Sequence, residues 1–213
     1  MGPFSAFNLS VMIQFVTGIV PLLFLLIYKR KLRVELVLLL LASATTSLIL
    51  LVTCSLGIKN WFFFNLYSVI NLTCLTVYYY NLLQVKTLKI VILLLASICG
   101  AVIIYELTYY DIINLSLPAL FLSFTLYSIL YLIDNLGKSS TPNSKGYFII
   151  NTTFFIYNGF SFFMSLELET MLANQYWIIH NVVEASSKLV IAYAILKIPK
   201  TTEEMNSKSV TLP

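Results

Sequence analysis

Three ionisable residues lie four positions apart in one long apolar segment, residues 175–196. They are His180, Glu184 and Lys188. At this spacing their side chains share one face of an α-helix. The segment is long enough to cross a bilayer, which takes about 20 residues, and a charge near its middle costs about 2.5–3.5 kcal/mol on insertion scales. We therefore expect Glu184 and Lys188 to be satisfied by each other, by neighbouring helices or by a water-filled cavity.

Two interpretations of this charged helix face stay open. In the first, Glu184 and Lys188 form an ion pair one helical turn apart that fixes how the helices pack. In the second, they belong to a site for a small molecule, an ion or a proton, because ionisable groups at membrane depth usually have a function. A metal site is not expected, because the chain has a single histidine and no cysteine at ligand spacing.

Other polar side chains fall at a similar depth in neighbouring apolar segments. We expect one internal polar cluster, and its predicted members are Glu184, Lys188, His180, Asn158, Tyr157 and Asn71. Gln14 and Ser10 lie in the outer half of the first segment, at the level of His180, and are expected at the edge of this cluster. An amide in hydrocarbon needs a hydrogen-bond partner, so Asn71 and Asn158 are expected to face the interior.

The composition indicates that lipid is the solvent of this chain. Of its 213 residues 59% are hydrophobic and 10% are charged, whereas soluble domains have roughly 25% charged residues. Seven segments are apolar and long enough to span a membrane, at about 7–28, 34–56, 61–84, 88–105, 113–133, 147–168 and 175–196. This predicts an all-α, seven-transmembrane-helix bundle over residues 1–200 and a polar cytoplasmic tail at 201–213, with no room for a soluble catalytic or nucleic-acid-binding domain.

Three further features of the spans and their connections can be predicted. The fourth span is almost purely aliphatic, so we expect it at the lipid-facing periphery. Between spans five and six, residues 134–146 are rich in Gly, Ser, Pro and Asn and are predicted to form a polar loop. The serines and threonines of the second span are expected to allow close helix approach or to bond backbone carbonyls.

The distribution of basic residues predicts the orientation. With the N-terminus outside and the C-terminus inside, 11 of the 13 basic residues lie on the inner side, as positive residues do in membrane proteins. Only Lys59 lies outside, and Lys188 lies within the membrane. The inner residues are Lys29, Arg30, Lys31, Arg33, Lys86, Lys89, Lys138, Lys145, Lys197, Lys200 and Lys208.

Two resemblances add expectations. The stretch FFIYNGFSFF, together with Trp177 followed by Ile-Ile-His-Asn, resembles small uncharacterised seven-helix membrane proteins of Bacteroidetes-type bacteria, over about the last quarter of the chain. That resemblance implies a multi-pass protein of the bacterial inner membrane that accompanies a sensor kinase. It implies no enzymatic activity.

The second resemblance is to the last helix of microbial rhodopsins, which carries an acid followed four positions later by the retinal-binding lysine. Glu184 and Lys188 have this spacing, and the resemblance implies Lys188 as a Schiff-base lysine with Glu184 as a counterion. The third span has no carboxylate, and the sixth lacks the Trp and Pro expected around Tyr157. Retinal is therefore the third of our alternatives.

The sequence thus predicts a non-enzymatic, receptor-like or accessory membrane protein that senses a small-molecule ligand or couples to a partner membrane protein. The alternative is a transporter of a small solute, or a proton-linked carrier, that uses Glu184 and Lys188. An enzyme is not expected, because no HExxH, GxSxG or paired-carboxylate motif is present. No cofactor other than retinal and no nucleic-acid partner is expected.

Overall fold

The computed structural model of the chain is all α-helical. It describes residues 6–28, 32–56, 61–108, 115–136, 142–166 and 173–198. These ranges contain seven helices: α1 (Ala6–Tyr28), α2 (Val34–Leu56), α3 (Trp61–Leu82), α4 (Lys86–Thr108), α5 (Ser116–Asn135), α6 (Pro142–Leu166) and α7 (Ala173–Leu196). Each is between 20 and 25 residues long.

Five of the seven helices, α1, α2, α4, α5 and α7, are long and apolar enough to cross a membrane. In such segments a helix satisfies every backbone N–H and C=O internally, which lipid cannot do. The two helices outside this set, α3 and α6, carry more Asn, Ser, Thr and Tyr. The structure therefore supports a helical protein embedded in a membrane.

The helix bounds agree with the predicted spans for α1, α2, α3 and α7 to within two residues. At α6 the predicted loop at 134–146 was too long, because the helix begins at Pro142. Proline suits the first position of a helix, where its missing N–H has no partner to lose and its φ is already helical. The other end of that loop is also shorter, since α5 continues to Asn135. The predicted tail at 201–213 lies outside the described residues.

The helices form a closed ring. Each helix packs against its neighbours in sequence, and α1 packs against α7 to complete the circle. An additional contact between α3 and α5 leaves α4 on the outside of the ring, where it touches only those two helices among the described elements. The prediction that the fourth span is peripheral is therefore confirmed.

An aromatic core fills the half of the bundle in which α2 and α4 begin and α7 ends. Tyr78 and Tyr79 of α3 are fully buried there, beside Tyr127 and Tyr131 of α5. Their hydroxyls are paired: Tyr79 with Ser128 at 2.8 Å, and Tyr127 with Thr76 at 3.2 Å. Aromatic packing with paired hydroxyls joins α3 firmly to α5.

The outer surface of the bundle is largely aliphatic. Leu26, Val34, Ile98, Ile104 and Phe163 are each exposed over more than 60% of their area. A continuous apolar surface of this kind would be unfavourable in water, and it suits contact with lipid chains.

The position of α4 leads to a first prediction. Ile92 is fully buried against the core, whereas Leu94, two residues later, is 59% exposed. Ile92→Ala should lower the free energy of unfolding by about 2–5 kcal/mol, the usual cost of a truncated core side chain. Leu94→Ala should change it by less than about 0.5 kcal/mol, because detergent or lipid fills the space. Unfolding of the purified protein in detergent measures both, and equal losses would contradict a peripheral α4.

Candidate functional site

The three ionisable residues of α7 form a connected row at the centre of the bundle. Lys188 Nζ lies 2.8 Å from Glu184 Oε1, and His180 Nε2 lies 3.7 Å from Glu184 Oε2. All three side chains are buried, with at most 7% of each residue exposed. The shared helix face predicted from their spacing is confirmed, and Glu184 and Lys188 form an ion pair.

Two other helices supply hydrogen bonds to the Glu184 carboxylate. Gln14 of α1 donates its side-chain N–H to Oε2, and Ser43 of α2 donates its hydroxyl to Oε1 at 3.2 Å. Each carboxylate oxygen therefore has one neutral donor and one ionisable neighbour. Hydrogen bonds to the charged form stabilise it in surroundings that would otherwise disfavour it.

The Lys188 ammonium lies close to the backbones of α1 and α2. A Cβ atom added to Gly18 would lie 3.5 Å from Nζ and 3.6 Å from Ala44 Cα. Within the described part of the chain, Nζ has no hydrogen-bond partner beyond its ion pair with Glu184, and Gln14 Oε1 has none. The cluster thus retains N–H donors on Lys188 Nζ and an acceptor, Gln14 Oε1, that are buried and make no hydrogen bond within the described part of the chain.

His180 connects the row to α5 and α6. The Tyr157 hydroxyl lies 3.4 Å from Nε2, and the Ser161 hydroxyl lies 3.4 Å from Nδ1. The ring of Phe121 packs against the imidazole with 5.7 Å between the ring centroids. Both imidazole nitrogens therefore face hydroxyl groups that can act as donor or acceptor, so either tautomer is accommodated.

Helix α3 reaches the carboxylate through an intermediate. Tyr67 lies close to the side chains of Ser43 and Asn71, and Ser43 donates to Glu184. Asn71 is half-buried, and its Oδ1 has no hydrogen-bond partner among the described residues. Asn71 is therefore separated from Glu184 by two residues, Tyr67 and Ser43.

Asn158 differs from the other predicted members. It is buried as expected, but its amide donates to the Phe154 carbonyl of its own helix at 2.8 Å. Of the six residues predicted to form the cluster, the described contacts thus join His180, Glu184, Lys188 and Tyr157 directly and Asn71 indirectly. They do not link Asn158 to Glu184.

The structure also brings in residues that had not been predicted as members. Gln14, expected at the edge, contacts the central carboxylate, and Ser10 accepts a hydrogen bond from Asn181 at 3.0 Å.

Ser43 belongs to the Ser/Thr-rich run of α2, where Thr45 and Ser47 bond backbone carbonyls as predicted. Gln14 and Gly18, four residues apart on a mostly apolar α1, were the sequence signal for a polar contact between α1 and α7.

The described residues contain no group of three or more His, Cys, Asp or Glu side chains positioned to hold a metal ion. Cys74 and Cys99 are free thiols, and the side chain of Cys54 lies outside the description.

Comparison with known proteins identifies no relative. No protein-family model, no curated protein and no solved structure matches the chain. The two resemblances drawn from the sequence therefore stay predictions, and the case for a function depends on the cluster itself.

The geometry of the ion pair gives a second prediction. Glu184→Gln leaves Lys188 buried with no other partner among the described residues, whereas Lys188→Met leaves Glu184 with Gln14, Ser43 and His180. Breaking a buried pair costs about 3–5 kcal/mol, and we expect Glu184→Gln to lie at the upper end of that range and Lys188→Met at the lower end.

The double variant Glu184→Gln/Lys188→Met should recover most of the loss, because no unpaired charge remains. Thermal unfolding in detergent measures all four proteins as a double-mutant cycle. Losses that simply add in the double variant would mean that the two charges do not stabilise each other.

Proposed function

We propose that this chain is a multi-pass, seven-span protein of the bacterial inner membrane with a receptor-like or accessory role. It senses a small molecule, or couples to a partner membrane protein, through the polar cluster around Glu184. The observation that carries the proposal is a buried ion pair with unused hydrogen-bonding capacity, held at once by α1, α2 and α7.

The unused groups support a binding role over a purely structural one. A network that serves only packing gains nothing from buried polar atoms without partners, since each costs about 1–3 kcal/mol. Gln14 Oε1 and Asn71 Oδ1 are such atoms within the described chain, and Lys188 Nζ has no hydrogen-bond partner there beyond its ion pair with Glu184. A ligand with a hydrogen-bonding group would satisfy them and would change how tightly the helices are held together.

The proposed orientation has the N-terminus outside and the C-terminus inside, on the strength of the basic residues. It follows that α3 and α6 also span the membrane, despite their polar content. Several of their buried polar side chains have protein partners, such as the Asn151 amide, which donates to the Tyr78 hydroxyl at 3.2 Å. Such pairing makes these helices compatible with a membrane interior.

A labelling experiment tests this topology. Cysteines placed at Asp111 or Glu169 should react with a membrane-impermeant maleimide added to intact cells, whereas cysteines at Ser139 or Ser207 should react only after lysis. All four positions lie outside the described residues, in connections or the tail. Labelling of Ser139→Cys from outside would overturn the orientation and the number of spans.

A proton-linked transporter is the second candidate. The row from His180 through Glu184 to Lys188, with separations of 3.7 and 2.8 Å, is the kind of arrangement that relays protons in membrane carriers. Retinal bound at Lys188 is the third candidate, in which a protonated Schiff base at Nζ would keep its positive charge beside Glu184 as the counterion.

Reconstitution separates the sensor from the carrier. We expect proteoliposomes containing the protein and an internal pH dye to show no proton flux above empty liposomes. In detergent, a panel of small alcohols, phenols, amines and carboxylic acids should include compounds that raise the unfolding midpoint of the wild type. The stabilisation should be lost in Glu184→Gln/Lys188→Met and retained in Ser128→Ala, a matched control in the aromatic core. Flux that disappears in the double variant would identify a carrier instead.

A further inference from the structure

A groove on the outer face of the bundle lies between α2 and α3. It has a volume of about 190 Å³ and is lined by Ala42, Thr45, Thr46, Ile49, Leu66, Tyr67 and Ile70. Thr45 and Leu66 are exposed at its rim. Since neighbouring helices expose aliphatic side chains at the surface, the groove opens toward the lipid chains.

One lining residue connects this groove to the polar cluster. Tyr67 forms part of the wall, and its side chain lies close to Ser43 and Asn71. Ser43 donates to Glu184 Oε1, which pairs with Lys188. Tyr67 and Ser43 thus lie between the groove and the buried ion pair.

We propose that the groove is the entry and binding site for the ligand of this protein, and that the ligand is a small amphiphile dissolved in the bilayer with an uncharged hydrogen-bond donor as its head group. This inference rests on the proposed ligand-sensing function and specifies the route and the chemical class.

The size and lining of the groove favour an apolar body. An engineered protein cavity of about 150 Å³ holds benzene, so about 190 Å³ accommodates a small ring or a short length of alkyl chain. Because the groove is open to lipid, a longer chain continues outward among the acyl chains.

The polar groups beside the groove favour an alcohol or phenol head. Asn71 follows Tyr67 by one helical turn, next to the residues that line the groove, and its Oδ1 has no partner in the described structure. That oxygen requires a donor. The charges of Glu184 and Lys188 offset each other, so a charged head group would add an uncompensated charge to the cluster. The head group therefore donates to Asn71 and accepts from, or donates to, the Tyr67 hydroxyl.

Photolabelling tests the proposal with three probes of equal chain length that carry a diazirine next to one end. Their head ends are an alcohol, a methyl group and a quaternary ammonium. In phosphatidylethanolamine–phosphatidylglycerol vesicles containing the protein, the alcohol should label peptides covering 42–49 and 66–71 at least fivefold more than the other two probes do. Equal labelling by the alcohol and the methyl probe would mean ordinary lipid contact and would overturn the proposal.

Two groove variants and one control make the test specific. Ala42→Trp fills the groove and should abolish the preferential labelling, whereas Leu94→Trp, on the exposed face of α4, should leave it unchanged. Tyr67→Phe keeps the ring and removes the hydroxyl, so it should reduce the preference for the alcohol even if Ala42→Trp fails to fold. Preferential labelling that persists in folded Ala42→Trp and in Tyr67→Phe would overturn the proposal.

Unfolding midpoints measured on the same samples separate this inference from the proposed function. A midpoint raised by the alcohol in both wild type and folded Ala42→Trp would overturn the groove as the binding route and leave ligand sensing by the cluster intact. Preferential labelling that follows the variants, with no midpoint change in wild type, would support the groove and count against the sensing function.

Discussion

The opposite charges of Glu184 and Lys188 set conditions that the surrounding helices must meet. In apolar surroundings a carboxylate with two oxygens needs several donors, and here they come from α1, α2 and the preceding and following turns of α7. Contact with lipid does not favour one rotation of an apolar helix over another, because lipid chains are as apolar as leucine. The buried carboxylate fixes the rotation of both neighbouring helices. Rotating α1 about its axis would break the hydrogen bond from Gln14, and rotating α2 would break the one from Ser43.

The two halves of the bundle are held together by different forces. One half packs tyrosines and aliphatic side chains at close range, with short hydroxyl pairs such as Tyr79–Ser128. The other half is held by hydrogen bonds and charge around Glu184. Dense packing tolerates little change in volume, whereas a polar cluster with unused groups can exchange partners. The structure therefore combines a closely packed half with a half that retains polar atoms without hydrogen-bond partners in the described chain.

Much of the helical arrangement follows from the sequence, and less of the site does. Long apolar segments predict the helices, and the aliphatic α4 predicts its own position, because nothing in it needs a protein partner. The i, i+4, i+8 spacing predicts the row on α7. Helix rotation is harder to predict: α6 carries polar residues on several faces, and an asparagine such as Asn158 can satisfy its amide on its own helix. Ser43 could not be distinguished from Thr45 and Ser47 by composition, because only contact with Glu184 makes it different.

Coupling between the cluster and the aromatic core requires an element that extends through both halves of the bundle, and α7 is such an element. Lys188 lies in the cluster, while Ile191, Ala194 and Ile195, one and two turns later, are buried in the aromatic core. A helix is stiff along its axis, so a change in the bonds of Lys188 shifts these side chains against α6 or is resisted by it. Since cores adjust by discrete repacking more readily than by continuous deformation, the physical basis of a signal would be a small number of alternative packings of α7. The proposed partner would then recognise one of these packings at the end of α7, beside the basic connections.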